Sequence, residues 1–119
     1  AEICLQLGLD GMIISNHGGR QIDAGESAIH SLQKLVQKYQ GKTRLMMDSG
    51  IRTGPDIARA LASGAEFTFL GRTFMYSVAA LGSAGGQHAM AILKVQLRQV
   101  MEQVCCPTTD CLGEHRVSV

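Results

Sequence analysis

Ser15-Asn16-His17-Gly18-Gly19-Arg20-Gln21 combines groups that an ordinary turn does not need. An imidazole gives and takes protons near neutral pH. The arginine three residues on offers a planar fork of donors that matches a carboxylate in two-point contact. The glycines between them let the backbone come close to a ligand. The pattern therefore suits a general base, His17, beside a carboxylate anchor, Arg20. The plainer alternative is a loop histidine satisfied by nearby backbone and a solvated arginine. The position of the pair, directly after the apolar run Gly11-Met12-Ile13-Ile14, favours chemistry.

A second polar group follows another apolar run. Asp48-Ser49-Gly50-Ile51-Arg52 comes after Leu45-Met46-Met47, and Gly71-Arg72 comes after Phe67-Thr68-Phe69-Leu70. Glycine at a strand end lets backbone N–H groups face a phosphate, and a following helix adds a favourable dipole. Ordinary strand-to-helix turns with solvated arginines are the alternative for each alone. Their recurrence on consecutive strands favours a phosphate site.

The elements that must position these loops alternate. Ala1 to Leu7 reads as a helix end stopped by Gly8, and Leu9 to Ser15 as a buried strand. Residues 26–39 form an amphipathic helix with Ile29, Leu32, Leu35, Val36 and Tyr39 on one face, stopped by Gly41. Thr43 to Met47 is a second strand. Thr53 is the expected N-cap of the next helix, with Pro55 in its first turn and Asp56 three residues after the cap. Ile57, Ala58, Leu61 and Ala62 give its buried side, and Gly64 ends it. Glu66 to Leu70 is a third strand, and Thr73 to Ala80 a short helix. After the break at residues 82–86, a long helix runs to about Val104, with Met90, Leu93, Leu97, Val100, Met101 and Val104 as its apolar stripe. This order implies an α/β fold with a parallel sheet and right-handed crossovers. Ligands bind at the carboxyl ends of such strands, where all the polar loops fall.

The remaining composition excludes other classes. A chain of 119 residues is enough for one compact domain, and a formal charge of +1 gives no basis for nucleic-acid binding. No apolar run is long enough to span a bilayer, and no signal-peptide pattern is visible. Cys4, Cys105, Cys106 and Cys111 do not read as a disulfide framework, so a reducing, cytoplasmic setting is expected. Cys105, Cys106 and Cys111, with His115 nearby, lack the spacing of a metal site and read as small apolar residues, and no metal is expected. His30 and His88 have no partner pattern and read as structural or exposed.

The motifs resemble those of the FMN-dependent α-hydroxy-acid oxidases and dehydrogenases. The resemblance runs through residues 15–23, 48–54, 60–65 and 70–72 and on to about Cys106. It implies a (β/α)8 barrel, of which this chain would be the C-terminal portion, the last three βα units. The activity it implies is oxidation of an L-2-hydroxy acid, lactate-like or mandelate-like, to the 2-oxo acid. His17 resembles the base that takes a proton from the substrate. Arg20 resembles the arginine that binds the substrate carboxylate. Asp48, Ser49, Gly50, Arg52, Gly71 and Arg72 resemble the segments that hold FMN. The sequence Asp48-Ser49-Gly50 looks more like the lactate and mandelate dehydrogenases than glycolate oxidase, and Cys106-Pro107 is similar to the mandelate branch.

The family's lysine near the flavin, its substrate tyrosines, a further arginine and an aspartate that orients the base have no counterpart here. Residues 1–119 are therefore expected to be a partial domain lacking the earlier barrel strands, binding FMN weakly and turning over nothing on its own. The resemblance also implies a homo-oligomer, a tetramer, for the full-length protein, with peripheral membrane association where a further segment provides it. Type 2 isopentenyl diphosphate isomerase or an IMP dehydrogenase relative would account for residues 48–54 but not for His17 with Arg20. A non-catalytic half-barrel would not account for the retained pair.

Overall fold

Alternating apolar runs and amphipathic stretches give alternating strands and helices. The computed structural model describes residues 1–116. Its elements are α1 (Glu2–Gln6), β1 (Gly11–Ile14), α2 (Ala28–Tyr39), β2 (Arg44–Met47), α3 (Gly54–Ala62), β3 (Phe67–Thr68), α4 (Arg72–Leu81) and α5 (Gly85–Gln103). Single 3₁₀ segments occupy His17–Gly19, Gly82–Ala84 and Thr109–His115. The strands form a parallel sheet in the order β1-β2-β3. This is the α/β arrangement expected from the sequence.

Period-two side chains divide the sheet into two faces. Ile14, Leu45 and Met47 are buried with Leu32 and Tyr39 of α2. Leu32 and Leu45 are fully enclosed, and each contributes roughly 2–3 kcal/mol of burial. The other face is open. Ile13 pairs with Met46 and Met46 with Phe67, a lateral row in which Ile13 is 54% and Phe67 56% exposed. The expectation that β1 is a buried strand thus holds for one face only, because no layer of the described residues covers the other. The third strand is also shorter than expected. Glu66 N–H still donates to Leu45 O at 2.7 Å and Phe69 N–H to Met47 O at 2.9 Å. Regular pairing with β2 covers only Phe67–Thr68.

Helix α3 lies between two cores. Ala60 is packed with the sheet and α2, whereas Ala58 packs with Cys106, Leu112 and side chains of α5. Small residues at both positions allow close approach on two sides. Helices α1, α3 and α5 all close with the same pair of bonds. Leu9 N–H reaches Cys4 O and Gly8 N–H reaches Leu5 O; Ala65 and Gly64 do the same at α3, and Cys106 and Cys105 at α5. The left-handed residue is glycine in the first two cases. In α5 it is Cys105, at φ +55°.

That reversal overturns the reading of the cysteines. Cys106 and Cys111 form a disulfide, with Cα atoms 5.9 Å apart. The 3₁₀ segment Thr109–His115 turns back along α3 and returns Cys111 to Cys106. Spacing alone did not reveal this turn. The pairing removes cysteine usage as an argument for a reducing compartment. Cys4 and Cys105 are free. His30 and His88 are exposed, and no described helix is long and apolar enough to cross a membrane.

Candidate functional site

The loop after β1 is fixed by hydroxyl and amide side chains. Its backbone departs sharply from ordinary geometry: His17, Gly18 and Gly19 have φ of +54°, +69° and +73°. Glycine tolerates this readily, whereas His17 must be held there. Every N–H from Asn16 to Gly19 has a partner. His17 donates to Ser15 Oγ at 3.1 Å, and Gly19 to Asn16 Oδ1 at 3.2 Å. Asn16 and Gly18 both donate to Ser49 Oγ, at 3.3 and 3.1 Å. Ser49 Oγ in turn donates to Asp48 Oδ1 at 2.5 Å. The first two loops are thereby one hydrogen-bonded unit.

The loop after β2 is anchored on its other side by the start of α3. Thr53 Oγ1 accepts from Asp56 N–H at 3.4 Å, and Asp56 Oδ2 accepts from Thr53 N–H at 3.0 Å. This is the reciprocal cap that the spacing predicts. Burial opposes ionisation of Asp56, but hydrogen bonds from Thr53 and from the Arg52 and Thr53 amides, with the nearby Arg59 guanidinium, outweigh it and lower its pKa. Gly54 N–H donates to Gln96 Oε1 of α5 at 2.8 Å. Thr73 Oγ1 donates to Arg52 O at 2.9 Å, joining this loop to the first turn of α4.

The three strand ends open into one cavity of about 590 Å³. His17 and Arg20 from the first loop, Asp48, Ser49 and Gly50 from the second, and Gly71 and Arg72 from the third all line it. Arg72 also reaches the first loop: a Cβ on Gly18 would stand 3.1 Å from its Nη2. His17 and Arg20 are exposed at the mouth, where Gln21 joins them around a smaller recess. Arg52 is exposed and does not line the cavity; its main chain ties the second loop to α4 and to Asp56.

Anion chemistry suits this geometry. Helix α4 has Gly71 as its N-cap with no side-chain cap, so its first N–H groups lack a local acceptor side chain, and Gly71 and Arg72 line the cavity. A Cβ on Gly50 or Gly71 would meet no protein atom within 4 Å, leaving the backbone approachable at both points. Sequence reasoning did not single out Gln96, Thr73 or the hydroxyl of Ser15. Each acts across the fold or through main-chain geometry, and residue spacing carries no signal for either.

Fold and site together define an α/β protein of the class that binds ligands at the carboxyl ends of parallel strands. The chain belongs to the FMN-dependent dehydrogenase family, whose model matches residues 1–119. It is 41% identical over 101 residues to an L-lactate dehydrogenase of Vibrio cholerae, covering 85% of this chain and 27% of that protein. It is 37% identical over 113 residues to a peroxisomal (S)-2-hydroxyacid oxidase of Arabidopsis thaliana, covering 95% of this chain and 31% of that one. Among solved structures it is similar to mandelate oxidase with benzoyl-formic acid, with a TM-score of 0.89 and 31% identity over 94% of this chain and 33% of that chain. A mandelate oxidase variant with a monooxide FMN adduct is as similar, with a TM-score of 0.89. The chain therefore spans about a quarter to a third of the length of these relatives.

Proposed function

We propose that this chain carries the proton-accepting and carboxylate-binding loop of an FMN-dependent L-2-hydroxy-acid dehydrogenase or oxidase. In this reading its three βα units are the last three of a (β/α)8 barrel. The observation that carries the reading is the shared cavity, which joins His17 and Arg20 to Asp48, Ser49, Gly50, Gly71 and Arg72.

The residues present fit FMN. The uncapped start of α4, Gly71 and Arg72 offer N–H and guanidinium donors to a phosphate. Asp48, Ser49 and Gly50 line the same cavity, and Arg52 of the same loop adds an exposed positive charge. Bound there, FMN would accept the two electrons and one of the two protons of the oxidation. Arg20 holds the carboxylate of a lactate-like or mandelate-like substrate. His17 accepts a proton from that substrate as the carbonyl forms.

The test is spectroscopic. Full-length protein loaded with FMN is mixed anaerobically with L-lactate or L-mandelate. Bleaching of the oxidised flavin spectrum is expected, and a spectrum unchanged by both acids would overturn the reading.

A further inference from the structure

Ser49 is a non-glycine residue at φ +75°, a conformation that is costly for any side chain with a Cβ. Glycine would remove that cost. A serine is held there by its hydroxyl, whose full hydrogen-bonding capacity is used within the protein. It accepts from the N–H groups of Asn16 and Gly18, and it donates to Asp48. These two amides flank His17, itself at positive φ. The carboxylate of Asp48 polarises the hydroxyl and strengthens it as an acceptor, because linked hydrogen bonds reinforce one another. The hydroxyl is thus turned towards the backbone of the first loop.

We infer that Ser49 is a positioning residue for His17, a deepening that rests on the function proposed above. Its hydroxyl ties the two amides on either side of the base to the end of β2. The backbone strain at Ser49 is the cost of supplying a hydroxyl at that point. With its hydroxyl fully used within the protein, Ser49 offers the flavin-binding part of the cavity only its main chain, and its side chain acts on the base.

The experiment uses the full-length holoprotein with Ser49→Gly, which suits positive φ and keeps the fold, and Ser49→Ala, which keeps the strain without the bonds. Hydrogen exchange at the Asn16 and Gly18 amides should accelerate about tenfold or more in both variants, since each loses its acceptor. Flavin reduction by substrate should slow roughly ten- to a hundredfold in Ser49→Gly, with its thermal midpoint unchanged or raised and flavin affinity within about threefold. In a His17→Ala background the same change should cost little further, because the two residues act as one unit. Unchanged exchange, a loss confined to flavin affinity, or an equal factor in both backgrounds would each overturn the proposal. A His17→Ala single variant reduced at the normal rate would sink the underlying functional reading, and is visible without any change at Ser49.

Discussion

The N–H of Gly54 donates to Gln96 Oε1 at 2.8 Å, although the two residues lie 42 positions apart. The start of α3 is thereby pressed onto α5. A Cβ on Gly54 would overlap both Gln96 Cβ and the Leu97 backbone nitrogen. Gly54→Ala should therefore destabilise the protein by about 1–3 kcal/mol through overpacking. It should also loosen flavin, since the displaced helix start carries the loop from Asp48 to Arg52. Truncation of Gln96 to alanine should not rescue it, because the β-carbon and the Leu97 nitrogen remain. Urea midpoints and flavin affinity of the single and double variants check this, and full rescue would refute the packing argument.

At the same helix start, Asp56 links stability to pH. Its folded-state pKa is lowered, so its contribution is present above the unfolded value and lost as pH falls through the folded one. Thermal stability should decline below about pH 4, and Asp56→Asn should flatten that acid limb. Glu26 is lowered by hydrogen bonds from Lys34 and Ser31, but it is exposed and common to both proteins, so it cancels in the comparison. At neutral pH Asp56→Ala should cost about 1 kcal/mol. Identical pH profiles for the parent and the asparagine variant would exclude the carboxylate as the source.

These two contacts mark how far the sequence could be read. The Thr53–Asp56 cap was legible because both partners and the helix they start lie within four consecutive residues. The strand ends at His17, Asp48 and Gly71 were legible because apolar runs stop there, and a parallel sheet sends them to one side. Gly8 and Gly64 announced their helix ends, whereas Cys105 adopts the same left-handed conformation without being glycine. Gln96 acts across 42 positions and the Ser49 hydroxyl across 31 to Gly18. Spacing does not record such partners. The Cys106–Cys111 pair depends on a 3₁₀ turn with no periodic signal. The open face of β1 depends on what packs against it, which local pattern does not state.

His17 and Arg20 should separate kinetically, because one group moves a proton and the other binds charge. In the full-length holoprotein, His17→Ala should leave flavin bound while slowing its reduction by substrate roughly 10²- to 10⁴-fold, the usual contribution of a positioned base. Arg20→Lys keeps the charge but loses the planar fork, and an ammonium cannot reproduce two parallel hydrogen bonds. Loss of one charge-assisted bond, about 1.5–3 kcal/mol, should weaken substrate binding by roughly ten- to a hundredfold. Its reduction rate at saturating substrate should fall less than that of His17→Ala. Both residues lie at the exposed mouth of the cavity, so neither substitution creates a buried void and the thermal midpoint should barely move. Stopped-flow reduction across substrate concentrations resolves the two effects. A His17→Ala defect that vanished at saturating substrate would assign His17 to binding rather than to proton transfer.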